Sequence, residues 1–370
     1  MRIVNLTIES VAFGGRGVAR KGGKAIFVPF TIDGETVSAR LVREKKQFAE
    51  AEVVDLQQSS PYRVEPQCRY FGRCGGCSYQ HIEYEHQLAI KWHQVRDLLQ
   101  RIGKLKFVPM RPIVPSPSSY AYRNRITVHV ENGVIGYFQR DSHRLIDVEE
   151  CPIAMEEANR ELAQLRAQHP RDGHYTLRAQ SGPRVFSQTN DGVANLLGDL
   201  VAQLIPEQQK LLIDAYCGAG FFAKSLRDKF EKVIGIDWDR FAIEEARKNA
   251  AEKETYVAGD LEVELNNFLK RSSGARAASS SQIPRDSTLI VDPPATGLSA
   301  AVRKLIVDLE PATLLYVSCN PATLARDLSE LQRRFKIESI TPLDMFPQTA
   351  EIEAVAHLRR SDDSAIERFR

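Results

Sequence analysis

The chain has 370 residues, 43% of them apolar and 26% charged, and 50 basic against 48 acidic side chains leave a formal charge of +2. That length exceeds the roughly 250–300 residues at which one core stops growing, so two or three domains are expected. A histone-like polycation and a polyacidic chain are excluded. No apolar run approaches the roughly 18–20 residues of a membrane helix, and the first residues lack the apolar region of a signal peptide, so the expectation is a cytoplasmic protein acting as a monomer.

Residues 1–57 alternate in the manner of strands and are broken by Gly14-Gly15-Arg16-Gly17 and Gly22-Gly23. Short strands with glycine turns predict a small, OB-like β-barrel. Its basic residues, Arg16, Arg20, Lys21, Lys24, Arg43, Lys45 and Lys46, suit either a solvated surface or an oligonucleotide platform. Residues 58–180 read as a central α+β domain. A loop-rich stretch holds three cysteines, and then Leu88, Trp92, Val95, Leu99 and Ile102 recur at helical spacing, which predicts one buried face and a stop at Gly103. Strands return over 125–130 and 133–138 around a Glu131-Asn132-Gly133 hairpin turn, and a helix is expected over 153–168.

Residues 181–370 alternate strand and helix, the pattern of a parallel, Rossmann-like α/β sheet. Strands are expected at 211–216, 233–237, 288–294 and 314–319, with a helix over 239–252. The Ser/Ala-rich run 271–286 reads as a flexible surface insertion.

Three groups of residues carry chemistry. A strand running into Asp214-Ala215-Tyr216-Cys217-Gly218-Ala219-Gly220 makes a nucleotide-type turn, and Asp237, Asp260 and Asp292 follow at the next strand ends. Such ends share the rim where open α/β sheets bind ligands. The pyrophosphate fingerprint is incomplete, because Phe221, Phe222 and Ala223 follow Gly220. S-adenosylmethionine, which has no pyrophosphate, therefore fits better than NAD. Second, Cys319 in Ser318-Cys319-Asn320-Pro321 ends a strand on that rim, where a thiol serves as a nucleophile. Third, Cys68, Cys74 and Cys77, with Cys151 as a fourth, suit an iron–sulfur cluster. A four-cysteine zinc site and a redox dithiol are the alternatives. Cys217 is left over.

Taken together, these motifs resemble the RNA uracil-C5 methyltransferases that use a cysteine nucleophile, in the branch with an N-terminal TRAM domain and a [4Fe-4S] cluster. The resemblance spans nearly the whole chain. It is carried by residues 12–30, by Phe71-Gly72-Arg73-Cys74-Gly75-Gly76-Cys77 with Gln80-His81, and by Tyr122-Arg123-Asn124. Phe186-Ser187-Gln188-Thr189-Asn190, Asp292-Pro293-Pro294, Ser318 to Leu328 and Asp344 to Val355 complete it. It implies methylation of uridine in RNA, 23S rRNA ahead of tRNA, through a covalent adduct of Cys319 with C6 of a flipped-out base. Glu353 is then the general base, with Glu351 as its rival. Gln188, Tyr216, Gly218, Gly220, Asp237, Asp260 and Asp292 are expected to line the S-adenosylmethionine pocket, and Cys68, Cys74, Cys77 and Cys151 to hold the cluster. The sequence departs from the family at Ala295, where Arg is usual, at Asp237, where Glu is usual, and at Glu351, where His is common.

Overall fold

The computed structural model describes residues 2–180, 188–273, 283, 284 and 286–361. Most of the expected 271–286 insertion lies outside the described residues, as do Phe186 and Ser187 of the Gln188 motif.

The N-terminal strands are β1 (Ile3–Thr7), β2 (Ser10–Val11), β3 (Arg16–Lys21), β4 (Lys24–Pro29), β5 (Thr36–Glu44) and β6 (Phe48–Gln58). They pair in the order β1-β5-β6-β4-β3-β2. Register shifts along β5 and β6 bend the long pair, so the sheet curls until β1 touches β3. Alternation turns Val4, Leu6, Ile26, Val28, Val37, Ala39, Ala49 and Ala51 into one shared core. Much of the expected basic surface here is already neutralised: Arg16 and Arg43 face Glu50, Arg20 faces Glu9 and Lys24 faces Glu44.

Helix α1 (Tyr84–Arg101) leads to a four-stranded antiparallel sheet, β10-β7-β8-β9, made of β7 (Arg125–Glu131), β8 (Val134–Phe138), β9 (Leu145–Asp147) and β10 (Gly173–Arg178). The β7–β8 turn is the Asn-Gly kind the sequence predicts, with Asn132 and Gly133 both at positive φ. Helix α2 (Glu156–Ala167) covers one face of this sheet.

The remaining elements are α3 (Asp191–Leu204), β11 (Gln209–Ala215), α4 (Phe221–Leu226), β12 (Phe230–Asp237), α5 (Arg240–Arg247), β13 (Glu254–Ala258) and α6 (Leu261–Ser273). They continue as β14 (Ser287–Val291), α7 (Ala300–Leu309), β15 (Thr313–Ser318), α8 (Pro321–Leu331), β16 (Phe335–Leu343) and β17 (Glu353–Arg360). The sheet order is β13-β12-β11-β14-β15-β17-β16. The first five strands run parallel, and β17 enters antiparallel between β15 and β16. Strand order reverses between β11 and β14, which opens a crevice at their carboxyl ends. Apolar clusters cover both faces, as the near-continuous apolar strands require. Among the described residues no helix is long and apolar enough to cross a membrane.

Three expectations need correction. Helix α5 ends at Arg247, short of 252, and α6 runs to Ser273, three residues into the expected insertion. On α1, Ile102 is 43% exposed and Trp92 only half-buried, whereas Gln87, Lys91 and Gln94 are buried. The reason is what α1 packs on. Val95 and Leu99 join the core of the C-terminal sheet, but the first half of the helix meets the polar backbone of residues 344–348. Lys91 Nζ donates to Asp344 Oδ1 at 2.5 Å and to the Phe346 carbonyl at 3.0 Å, with both side chains fully buried.

Removing one partner of a buried ion pair strands the other charge, which typically costs about 3–5 kcal/mol. Lys91→Met is expected to lower urea-unfolding stability by about that amount. The double variant Lys91→Met/Asp344→Leu should recover much of the loss; a double variant no better than the single one contradicts this reading.

Candidate active site

Cys319 stands immediately after β15, whose last residue, Ser318, lies opposite Ala354 of β17. Cys319 and Glu353, the first residue of β17, are therefore the two residues that adjoin the last pair of this ladder, one on each strand. Glu353 is only 3% exposed, whereas Glu351 is exposed. Asp292 follows β14, beside β15. The four groups feel one another. Burial, then Glu353, Asp292 and Glu351, push the Cys319 thiol up to about 11. Burial, then Asp292 and Glu351, hold the Glu353 carboxyl well above its ordinary range. Burial carries Asp292 up to about 7. A thiol and a buried carboxyl, both with raised affinity for the proton, stand near each other, and burial of this kind makes a carboxylate, once formed, a stronger base.

The local chain explains the placement. Asn320 caps α8 by accepting the Ala322 N–H at 3.0 Å, and its amide donates to the Ala295 carbonyl. Asp327, fully buried, accepts from Leu298 N, Arg303 and the Tyr316 hydroxyl, while Arg326 donates to the carbonyls of Thr296 and Leu298. The loop after Asp292 is thereby tied to the helix after Cys319.

The loop that feeds β17 is clasped from three sides. The N–H groups of Ser78 and Tyr79 both donate to the Gln348 carbonyl, Gln87 exchanges amide bonds with Gln348, and the Tyr122 hydroxyl donates to the Pro347 carbonyl. From the barrel, Gly15 lies so close that a Cβ there would stand 2.9 Å from Ser78 and 3.2 Å from Ala350. Its φ of +83° adds a second reason for glycine.

The cofactor-type crevice is also assembled. Tyr216 (φ 63°), Gly218 and Gly220 all have positive φ, forming the sharp turn after β11. Asp237 tethers it: Oδ2 accepts the Gly218 N–H at 2.8 Å and Oδ1 accepts that of Asp239 at 2.9 Å. Burial, then Asp260, Asp327 and Asp237, push the Tyr216 hydroxyl up to about 12. Asp260 is exposed. Gln188 lies just before α3, its carbonyl accepting from Asn124 Nδ2, and Asn190 reaches across to the Met345 carbonyl. Asp214 sits below the turn, fully buried, with Oδ2 accepting the Ala223 N–H while Oδ1 has no partner. Burial, then Asp292 and Asp237, carry it up to about 8.

Cys68, Cys74, Cys77 and Cys151 line a single cavity of about 540 Å³. Burial pushes Cys77 up to about 12 and raises Cys74 and Cys151, with the neighbouring thiols adding to each shift. Gln80 Oε1 accepts the Cys68 N–H, Arg140 donates to the Cys77 carbonyl, and Gly75 lies flush against the end of β8. Among the described residues no three metal-ligating side chains stand close enough to hold a single ion. Cys217 is a buried core thiol, its proton held by burial.

Sequence reasoning flagged Tyr122, Asn124 and Asp327 as parts of motifs without assigning them work. Each proves to be a tether, a role with no signature in composition or spacing. Asp214 belonged to the expected acidic rim, but its side chain turns into the core.

Comparison with known proteins agrees with this geometry. Residues 171–361 match the tRNA (uracil-5-)-methyltransferase family and residues 2–54 match the TRAM domain. Uncharacterised RNA methyltransferases from Halalkalibacterium halodurans and Bdellovibrio bacteriovorus are each 31% identical, over 96% of this chain and 96% and 95% of their own lengths. The crystal structure of Pyrococcus abyssi tRNA (uracil-54, C5)-methyltransferase with S-adenosyl-L-homocysteine superposes with a TM-score of 0.69 at 25% identity, covering 96% of this chain and all of that one. The chain belongs to the tRNA (uracil-5-)-methyltransferase family and is an S-adenosylmethionine-dependent RNA (uracil-5-)-methyltransferase carrying an N-terminal TRAM domain.

Proposed function

We propose that the enzyme methylates a uridine in RNA through a covalent adduct, with Cys319 as nucleophile and Glu353 as base. The observation that supports this reading is the placement of the two at the end of the β15–β17 ladder, with Glu353 buried there and Glu351 exposed. Uracil C5 is too poor a nucleophile to take a methyl group unaided. The Cys319 thiol gives up its proton to solvent, the thiolate adds to C6, and the electron pair displaced from the C5–C6 bond gives C5 carbanion character. Bound S-adenosylmethionine supplies an electrophilic methyl group. Once C5 carries it, Glu353 removes the C5 proton, the C5–C6 double bond re-forms and the Cys319 sulfur leaves. Asp292 orients the uracil edge or the cofactor. In the crevice, Gln188, Tyr216, Gly218, Gly220, Asp237 and Asp260 hold the cofactor. Each Asp237 oxygen keeps a lone pair for a ribose hydroxyl.

The four cysteines fit a [4Fe-4S] cluster, because the cavity gathers four thiols in a frame wider than a single-ion site, and a cluster seats its thiolates on separate irons. Cys68, Cys74, Cys77 and Cys151 would hold it. It would supply a crosslink between the Cys77–Tyr79 segment and Cys151, and no step of the reaction passes through it. We divide the chain into a TRAM barrel over 1–57, a central domain over 58–180 and a methyltransferase domain over 181–370, although α1 packs on the last of these. The TRAM domain together with the cysteine set favours 23S rRNA as substrate. The likeness to the Pyrococcus abyssi enzyme favours tRNA as a second reading. Either substrate puts the enzyme in the cytoplasm.

Glu353→Gln is expected to permit attack and methyl transfer but to stall proton removal, with turnover falling about 10²–10⁴-fold. An RNA–protein complex that survives denaturing electrophoresis should accumulate. Cys319→Ala should form no complex and no product, and a fully active Cys319→Ala sinks the mechanism. Accumulation in Glu351→Gln instead would transfer the base role to Glu351. Mapping lost 5-methyluridine in RNA from a deletion strain decides between 23S rRNA and tRNA.

Protein purified without oxygen should contain iron and sulfide in near-equal amounts. Stoichiometric zinc without sulfide would replace the cluster with a structural zinc site.

A further inference from the structure

The reaction leaves a proton behind. A cationic sulfonium gives its methyl group to C5 and becomes a neutral thioether, while the C5–H bond breaks and its electron pair restores the C5–C6 double bond. Cys319 begins and ends the cycle in the same protonation state. Each methyl transferred therefore releases one net proton, and that proton starts its journey on Glu353. The carboxyl there is poorly placed to pass it to water. Glu353 is only 3% exposed, and Ile352, Ala354, Val355 and Ala356 around it are fully buried. A uracil seated on Cys319 covers what little of Glu353 meets solvent.

The groups able to relay the proton are few. Beyond burial, the charges that raise the Glu353 carboxyl are those of Asp292 and Glu351, and Cys319 adjoins the same ladder end. Cys319 is committed in this step as the leaving group. Asp292, half-buried after β14, lies on the rim that the base and the cofactor occupy. Of these four side chains Glu351 alone is exposed. It precedes Glu353 by two residues at the entry to β17. Residues so spaced on an extended chain share a face and lie about 7 Å apart. Ile352 between them turns the opposite way, into the core of the sheet. A single water molecule can bridge two polar groups across such a span. Among the described residues, no hydrogen bond or ion pair occupies either carboxyl group, so both are free to exchange a proton.

We propose that Glu351 is the exit for the reaction's proton: Glu353 passes to the Glu351 carboxylate, through a bridging water, the proton it has taken from C5, and Glu351 releases it to solvent. The Glu353 O–H bond breaks and a Glu351 O–H bond forms. That bond then breaks in turn as bulk water or buffer takes the proton, and Glu353 is left as the carboxylate that the next turnover needs. Glu351 touches neither the uracil nor the cofactor and acts only through Glu353. The two carboxyls divide the work by exposure, since a buried one binds the proton firmly and a solvated one exchanges it with water. The proposal rests on Glu353 being the base of the covalent mechanism.

The test is transfer of a tritiated methyl group from S-adenosylmethionine to excess RNA from the deletion strain, quenched within the first turnover and then followed at steady state. In Glu351→Gln the first turnover should match wild type, because Glu353 has equilibrated with solvent before mixing. Later turnovers should slow by roughly 10²-fold, the low end of what a lost proton transfer costs. Imidazole in rising concentration should speed those later turnovers in Glu351→Gln and leave wild type unchanged, because a small base can then collect the proton from Glu353. Glu351→His, whose ring titrates near neutrality, should restore the steady-state rate without added imidazole. S-adenosylmethionine affinity by calorimetry should match wild type in both variants. A wild-type steady state in Glu351→Gln overturns the proposal, as does a slowed one that imidazole does not rescue. A covalent complex trapped in the first turnover of Glu351→Gln overturns it too, and makes Glu351 the base. Normal turnover by Glu353→Gln instead removes the base assignment on which the proposal rests, so the two failures are told apart. Should Glu351→Gln lose cofactor affinity through misfolding, Glu351→Ala takes its place, judged by the same imidazole rescue.

Discussion

The chemistry of this molecule depends on one strand running the wrong way. Five parallel strands can present only their carboxyl ends to the cofactor rim. Strand β17 enters antiparallel beside β15 and so delivers its first residue, Glu353, to the rim that receives Cys319 from the end of β15. Cys319 and Glu353 both adjoin the end of one backbone ladder, which fixes their spacing more tightly than two free loops would. Everything that touches the loop entering β17 therefore bears on that register. The barrel through Gly15, the cysteine segment through Ser78 and Tyr79, and α1 through Gln87 and Lys91 all converge there.

The site is assembled against its own electrostatics. Asp214, Asp292 and Glu353 are carboxyls taken from water and crowded together, and all are held above their ordinary range. The sign of the linkage follows. In the unfolded chain these aspartates ionise from about 4. In the fold Asp292 keeps its proton up to about 7 and Asp214 up to about 8. Between those limits the native state binds more protons, so their contribution to stability is fullest in acid and falls as pH rises. The fold thus gives up stability near neutrality by holding these acids together out of water.

Much of this was legible in the residues. Alternation and glycine spacing announce the barrel, the strand–helix alternation announces the parallel sheet, and the motifs around Cys319 and Glu353 point to two residues that the fold brings to one end of the sheet. What the sequence hid was long-range pairing. Nothing local marks Lys91 as buried, because its partner Asp344 lies 253 residues away. Helical spacing alone assigned Ile102 to the core and could not foresee that α1 would bury glutamines against a loop. Arg125, Thr127 and His129 of β7 lie 53, 49 and 45 residues from Arg178, Thr176 and His174 of β10, and only the register sets them face to face.

The central claim is that Cys319 and Glu353 face each other as an interacting pair. It is tested most directly by alkylating the protein with iodoacetamide across pH and following the Cys319 peptide by mass spectrometry, in wild type and in Glu353→Gln. With the carboxylate beside it, the wild-type thiol should react with a midpoint near pH 11. Replacing that carboxylate with a neutral amide removes the repulsion of the thiolate, so the Glu353→Gln midpoint should fall and alkylation at pH 9 should quicken. Identical midpoints in the two proteins would mean that the two groups do not share a recess, and would contradict the account.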